Sequence, residues 1–343
     1  MIVTVVSMPE ASATRTDAAH ARARLATDPF VLVDVELPTD ADADTDADAD
    51  TDAEADGEGA GAEPSVGDQL GLDIDGLDWF GRADERPRAE FLGNKAGFVM
   101  PVVHGDEIAH VHVVVTDTFL VTVHRGPAHL TTASVKGLLH ERPADPVAVL
   151  FLLLGESLGT FRRAAVQDLV ETEELEDDMF EDRRPDQVYR LAQLRRRAAL
   201  LHHFLRPFLE VTDEVLTRRM MSENFPRERQ RLAREYQTSA RLVLADIESL
   251  QEATRRAFAS YSSLIAGEQN GVINRLAIVS VVFLPLSFIT GFFGMNFTFL
   301  TDKLESRDEF WLLAVGLQVL VLCVSLYMLH RTRIWRRLRE DEW

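Results

Sequence analysis

Gly291-Phe292-Phe293-Gly294-Met295-Asn296-Phe297 is the stretch on which the reading of this chain turns. It closes an apolar segment of eighteen residues, Leu276 to Phe293. A short hydrophilic loop then leads to a second apolar segment of twenty residues, Phe310 to Leu329. A hydrocarbon core roughly 30 Å thick is crossed by about 20 apolar helical residues, so both segments are expected to span a membrane. Pro285 lies inside the first, where a soluble helix rarely tolerates it. In a membrane bundle, neighbouring groups satisfy the carbonyl that proline frees. The second segment holds one amide, Gln318, and has Trp311 and Tyr327 near its ends, as aromatic belts at membrane interfaces do.

Basic residues give the orientation. The stretch Arg331 to Arg339 carries five arginines in nine positions, and Arg255, Arg256 and Arg275 precede the first span. Between the spans, Lys303 and Arg307 are outnumbered by Asp302, Glu305, Asp308 and Glu309. The positive-inside rule therefore puts both termini in the cytoplasm and the Gly-Met-Asn loop outside. The N-terminus has no basic region leading into a long apolar core, so no cleavable signal peptide is expected.

Composition narrows the function classes. A formal net charge of −20 argues against nucleic acid as a partner, because phosphate contacts need clustered Lys and Arg. Eleven acidic residues and no basic ones lie between Asp40 and Glu63. That tract has too little apolar surface to offset its ordering entropy and is expected to be disordered over 39–64. The single cysteine, Cys323, excludes a disulfide framework and reads as a small apolar packing residue. No phosphate-cradling glycine loop, nucleophile elbow or zincin helix occurs, so no enzyme and no cofactor are expected.

Before the spans, alternation and β-branched residues predict strands over 30–37 and 98–103, and two more within 109–123 joined near Thr116-Asp117-Thr118. His110, His112 and His124 invite a metal reading, but no carboxylate or cysteine cluster accompanies them, and ordinary strand histidines are the expectation. From Pro146 the period becomes helical. An apolar helix is expected over 147–158, an acidic one over 159–182, a basic one over 187–206 and another over 207–224, with Pro185 as a breaker. The acidic and basic helices are expected to face each other as an antiparallel hairpin.

From Pro226 to Phe293 there is no cluster of turn residues, and apolar residues keep helical spacing. At about 1.5 Å per residue such a helix approaches 100 Å. A lone helix of that length needs packing against something else, and copies of itself are the expectation. Asn270, Ile273, Leu276 (or Ala277), Ser280, Leu284, Ser287 and Gly291 step by three or four along one face, the seam of a parallel bundle. Small polar and bulky apolar side chains alternate there, as in a pore that holds water and also closes by dewetting.

Two terminal spans joined by Gly294-Met295-Asn296 resemble the CorA family of divalent-cation channels and transporters. Residues 283–297, Phe-Leu-Pro-Leu-Ser-Phe-Ile-Thr-Gly-Phe-Phe-Gly-Met-Asn-Phe, stand where the family commonly has Phe-Met-Pro-Leu-Thr-Phe-Ile-Ala-Gly-Ile-Tyr-Gly-Met-Asn-Phe. Phe119 to His124 is similar to a Leu-Ile-Thr-Val-His strand of its cytoplasmic domain. The resemblance implies an α+β fold: an N-terminal cytoplasmic α/β domain, a long stalk helix and two C-terminal transmembrane helices in a funnel-shaped homopentamer. Its expected parts are an N-terminal segment 1–90, an α/β and helical domain 91–225, a stalk 226–275, a first span 276–293, an outer loop 294–309, a second span 310–329 and a basic cytoplasmic tail 330–343.

The implied activity is passive, voltage-driven passage of Mg2+, with Co2+ and Ni2+ as further cargo, through a multi-pass protein of the cell membrane gated by cytoplasmic Mg2+. Gly294, Met295 and Asn296 would form the outer mouth. Asn296 amide oxygens and Gly294 carbonyls would accept hydrogen bonds from a hydrated ion, Met295 would pack, and Gly294 would relieve the backbone there. Phe293 replaces a common tyrosine, and two departures stand out: Ala259 occupies the position where some members carry a pore aspartate, and the outer loop, Thr298 to Glu309, lacks the family's common Met-Pro-Glu-Leu string. The alternatives are a proton-coupled zinc transporter of the same superfamily and a non-conducting, membrane-anchored coiled-coil scaffold.

Overall fold

The computed structural model describes residues 1–8, 10, 12–38, 65–73, 76–77, 79–82, 86–126, 143–222, 225–295, 308 and 311–331. The acidic tract 39–64, Asn296, Lys303, Arg307 and the tail beyond Arg331 lie outside the described residues. The chain divides into two compact units, Met1–Ala257 and Phe258–Trp343.

The first unit is built on a seven-stranded mixed sheet. Its strands are β1 (Ile2–Ser7), β2 (Ser12–Thr16), β3 (Val31–Leu37), β4 (Arg88–Leu92), β5 (Lys95–His104), β6 (Glu107–Val115) and β7 (Phe119–Arg125). The spatial order is β2-β1-β3-β7-β6-β5-β4, with only β3 and β7 parallel. A sheet buried on both faces reads as near-continuous apolar runs rather than alternation. That is the pattern of β5, in which residues 96–102 are all buried. One face carries Phe98, Met100, Val111 and Val113 against the long helices. The other carries Val33, Val35, Val99, Val121 and Val123 against α1 (Ala18–Thr27), α2 (Val66–Leu70), Leu77, Trp79 and Phe80. Gly97 lets this second layer close: a Cβ there would lie 2.8 Å from the Trp79 ring and 2.9 Å from Leu77. The strands expected over 30–37, 98–103 and 109–123 are present, while β1, β2, β4 and α1 were not foreseen. The sheet also crosses the boundary drawn near residue 90, since β1 to β3 and β4 to β7 are one sheet.

The helices differ from expectation in number. α3 (Pro146–Glu181) runs unbroken through the expected junction at 158, and α4 (Pro185–Met220) runs through Pro207. The break expected at Pro185 is present: α3 ends at Glu181 and Pro185 is the first residue of α4; Asp145 caps α3 by accepting from the Ala148 N–H at 2.7 Å. Pro207 removes one helical hydrogen bond, but Leu201, Leu205 and Phe208 around it are buried, and Thr212 Oγ1 donates to the Phe208 carbonyl at 2.6 Å. Burying one such apolar side chain is worth about 1.5–3 kcal/mol, so packing outweighs the lost bond.

α3 and α4 do face each other. Arg190 Nη2 is 2.5 Å from Glu171 Oε1, and Arg197 Nε is 3.0 Å from Asp168 Oδ2. Burial pushes the Asp168 carboxyl up to about 6 against the pull of Arg197. The third helix of the layer, α5 (Arg227–Phe293), buries Ala233, Tyr236, Ala240, Val243, Ile247 and Leu250 in the same core.

Arg229, in the first turn of α5, ties three elements together. Its Nε and Nη2 donate to Asp145 Oδ2 at 3.0 and 2.7 Å, and Nη2 donates to Asp117 Oδ1 at 3.1 Å. The start of α5 is thus bound to the N-cap of α3 and to the β6–β7 turn. Arg229→Ala leaves the half-buried Asp145 without its cation and is expected to cost about 1.5–3 kcal/mol. A thermal melt of the detergent-solubilised full chain checks it: the midpoint falls for Arg229→Ala and moves much less for the exposed Arg231→Ala.

Candidate functional site

In the second unit, the described part of α5 is an apolar helix whose faces differ. Ile278, Val282, Pro285, Leu286, Ile289 and Phe293 are half-buried. Across the helix lie the positions expected to line a bundle seam. Asn270, Ser287 and Gly291 are exposed, and Ile273, Leu276 and Leu284 are 61%, 66% and 68% exposed. Ser280 is half-buried, and its hydroxyl donates to the Leu276 carbonyl at 2.9 Å. Residues that step by three and four share one face of a helix, so the seven positions form one stripe. Large apolar side chains this exposed need either lipid or protein to cover them.

α5 is long and apolar enough in this region to cross a membrane. The second apolar segment is a π-helical turn, Trp311–Val315, followed by α6 (Gly316–Arg331), a shorter apolar helix. From Val315 at the end of the π-helical turn, the half-buried Val315, Gln318 and Leu322 continue into the buried Ser325 and Leu329 along one face. Gln318 Nε2 donates to Thr290 Oγ1 at 3.1 Å. In the sequence Gln318 is the one amide of its span, and Thr290 is one of three hydroxyl residues in the first, beside Ser280 and Ser287. A π-helical turn changes the helical phase, so counting outward from the loop does not align them.

α5 ends in a tight turn. The Gly294 N–H donates to the Thr290 carbonyl at 3.0 Å and the Met295 N–H to the Phe292 carbonyl at 3.3 Å. Gly294 was expected to supply a backbone conformation closed to other residues, but it is not among the glycines with positive φ. Its role is close approach: a Cβ there would lie 3.2 Å from the Thr290 carbonyl oxygen and 3.5 Å from that of Gly291. Met295 is 39% exposed. Ala259 is exposed on α5.

The histidines are occupied locally. His112 Nδ1 accepts from the Gly81 N–H at 3.1 Å, and its ring lies 6.1 Å from that of Trp79 and edge-on to Phe80 at 6.2 Å. His110 instead meets the Phe204 ring at 5.4 Å. His124 Nδ1 is 2.6 Å from the Gly126 carbonyl and Nε2 is 3.3 Å from Asp34 Oδ2. Burial opposes charge on His124, but the hydrogen bonds to Asp34 and the Gly126 carbonyl, with the charges of Asp34 and Glu36, together outweigh it and raise its pKa. Among the described residues no group of three His, Cys, Asp or Glu side chains is placed to hold a metal.

Burial, with smaller contributions from His110 and Arg125, lowers the His112 pKa to about 4. The unfolded chain then binds this proton more tightly than the folded one. Stability from neutral His112 is complete above about pH 6.5 and is lost as pH falls toward 4, at up to about 1.4 kcal/mol per unit. Acid-limb melts of wild type and His112→Gln check this: between pH 6.5 and 4 the variant shows the shallower decline.

The family model described as CorA-like Mg2+ transporter protein matches residues 64–331. The cobalt/magnesium transport protein CorA of Thermotoga maritima is 21% identical over 249 residues, covering 69% of this chain and 70% of that protein. The zinc transport protein ZntB of Yersinia enterocolitica is 28% identical over 159 residues, covering 46% of this chain and 47% of that protein. Across the curated relatives, the matched stretches span from 26% to 70% of the relative's length. The solved structure of the CorA magnesium transporter from Methanocaldococcus jannaschii shares the fold, with a TM-score of 0.72, 18% identity and coverage of 96% of this chain and 97% of that one.

Proposed function

Since this chain belongs to the CorA-like Mg2+ transporter family, we propose that it is a passive, membrane-potential-driven Mg2+ pathway, also open to Co2+ and Ni2+. In this reading five copies assemble around α5, the protein is multi-pass in the cell membrane with both termini cytoplasmic, and cytoplasmic Mg2+ holds it closed. Gly294, Met295 and Asn296 form the outer mouth. Asn270, Ile273, Leu276, Ser280, Leu284, Ser287 and Gly291 line the path.

The observation that carries this reading is the exposed stripe on α5. In one chain Ile273, Leu276 and Leu284 are about two-thirds uncovered, on the face away from the half-buried one. Facing other copies, that stripe becomes a narrow lining of alternating apolar and small polar groups. It carries no charge, so it would not hold a divalent ion tightly. Mg2+ gives up its water reluctantly, and a neutral amide or carbonyl ring contacts the hydrated ion while leaving it free to exit. The arginines that precede the first span and follow the second support cytoplasmic termini.

The similarity to a zinc transport protein favours a second reading, proton-coupled zinc transport through the same path. One experiment separates the two. Full-length protein is reconstituted in vesicles holding a Mg2+-sensitive or a zinc-sensitive dye, with an imposed voltage or pH gradient, and wild type is compared with Asn296→Ala. The expected result is voltage-driven Mg2+ entry that falls about tenfold in the variant, the equivalent of about 1.4 kcal/mol of lost hydrogen bonding to the hydrated ion. Zinc entry that requires the pH gradient, without Mg2+ entry, selects the second reading. No flux of either ion returns the protein to a non-conducting scaffold.

A further inference from the structure

The Gln318–Thr290 contact has no place in ion handling as described so far, yet it lies where a polar group is most costly. Within an apolar span an amide has no water to bond to and must find a partner in the protein. Gln318 finds Thr290, on the other span, at 3.1 Å. The hydroxyl is used in both directions: it accepts from Gln318 and donates its own proton to the Leu286 carbonyl at 2.8 Å. The Thr290 carbonyl receives the Gly294 N–H at 3.0 Å, the bond that ends α5. One residue therefore touches the second span through its side chain and the Gly294 turn through its backbone.

The local weakness of α5 gives this contact a task. Pro285 has no N–H, so the helix lacks one bond just before Leu286, and such sites are where helices bend. The two turns beyond it, Leu286 to Phe293, carry Ser287 and Gly291 and end in Gly294-Met295. Thr290 lies seven residues after Phe283 and four after Leu286, off the stripe of 284, 287 and 291. It is thus placed to hold the outer turns without occupying the path.

We propose that Gln318 and Thr290 are a positioning pair: an inter-span hydrogen bond that fixes the outer turns of α5 beyond Pro285 and so sets the placement of the Gly294-Met295 turn. The part of this concerning ions rests on the function proposed above; the part concerning the turn does not.

The test uses the full-length chain with Thr290→Val, Gln318→Leu, the double variant and Thr290→Ser. Valine and leucine keep the bulk, remove the bond and are at home in lipid, so insertion is preserved. In reconstituted vesicles each single variant raises the half-saturating Mg2+ concentration about three- to tenfold, the range of one inter-span hydrogen bond. The double variant is no worse than either single, and Thr290→Ser matches wild type. In parallel, Met295→Cys is placed in a Cys323→Ala background, and its rate of labelling by a maleimide is followed in detergent. Labelling accelerates with the same pattern across the four variants.

Unchanged half-saturation together with unchanged labelling overturns the proposal, as do single effects that simply add in the double variant. Labelling that follows the pattern in a protein that passes no ion upholds the positioning pair and removes the transport reading.

Discussion

A single constraint organises this chain: α5 has to cover its apolar surface in two different ways along one helix. Up to Ala257 it carries one buried stripe, in which Ala233, Ala240, Ile247 and Leu250 belong to the apolar core cluster that also holds residues of α3, α4 and the sheet. Beyond Ile273 large apolar residues stand on most of its surface, and among the described residues the half-covered apolar face is the one carrying Ile278, Val282 and Ile289. A helix with one apolar stripe belongs at a protein core; one that is apolar all round belongs in lipid or among other helices. The remaining features follow from keeping such a helix in place.

In the first unit that task falls to electrostatics at the helix start and to packing along its length. Arg229 joins α5 to the N-cap of α3 and to the β6–β7 turn. Arg162 reaches Asp246 from α3 at 3.3 Å, although both are substantially exposed and such pairs contribute little. The weight is carried by the apolar interior. Phe161, Leu205, Phe208 and Ile247 are fully enclosed, and truncating one such aromatic or aliphatic core residue typically costs about 2–5 kcal/mol.

What the sequence revealed depended on how far each signal rose above its surroundings. β3, β5, β6 and β7 were legible because both their faces are covered, so their residues are almost all apolar and β-branched. β2, Ser-Ala-Thr-Arg-Thr, was not: it is a polar edge strand held by pairing to β1, and its side chains are mostly exposed. Proline misled at Pro207, because local propensity counts a lost hydrogen bond and cannot see Leu205 and Phe208 packed beside it. The stripe 270–291 was read from its periodicity, and its large apolar members Ile273, Leu276 and Leu284 are exposed in the chain. Gly294 was read by residue type, which suggested unusual dihedrals; the cause is instead the Thr290 carbonyl 3.2 Å from where a Cβ would stand.

That distance also bears on how the end of α5 tolerates change. The helix closes on Thr290 through one backbone bond, and the glycine lets the chain turn immediately over the same carbonyl. A side chain at 294 would press on Thr290 O, whose hydroxyl is already engaged on both sides, by Gln318 and by Leu286. Displacing the carbonyl would strain both bonds, and in an apolar span neither has water as a substitute. The glycine of the turn and the threonine one helical turn before it therefore constrain each other. Small size at one and a hydroxyl at the other are two halves of the same local requirement, and a mouth built on this turn inherits its placement from both.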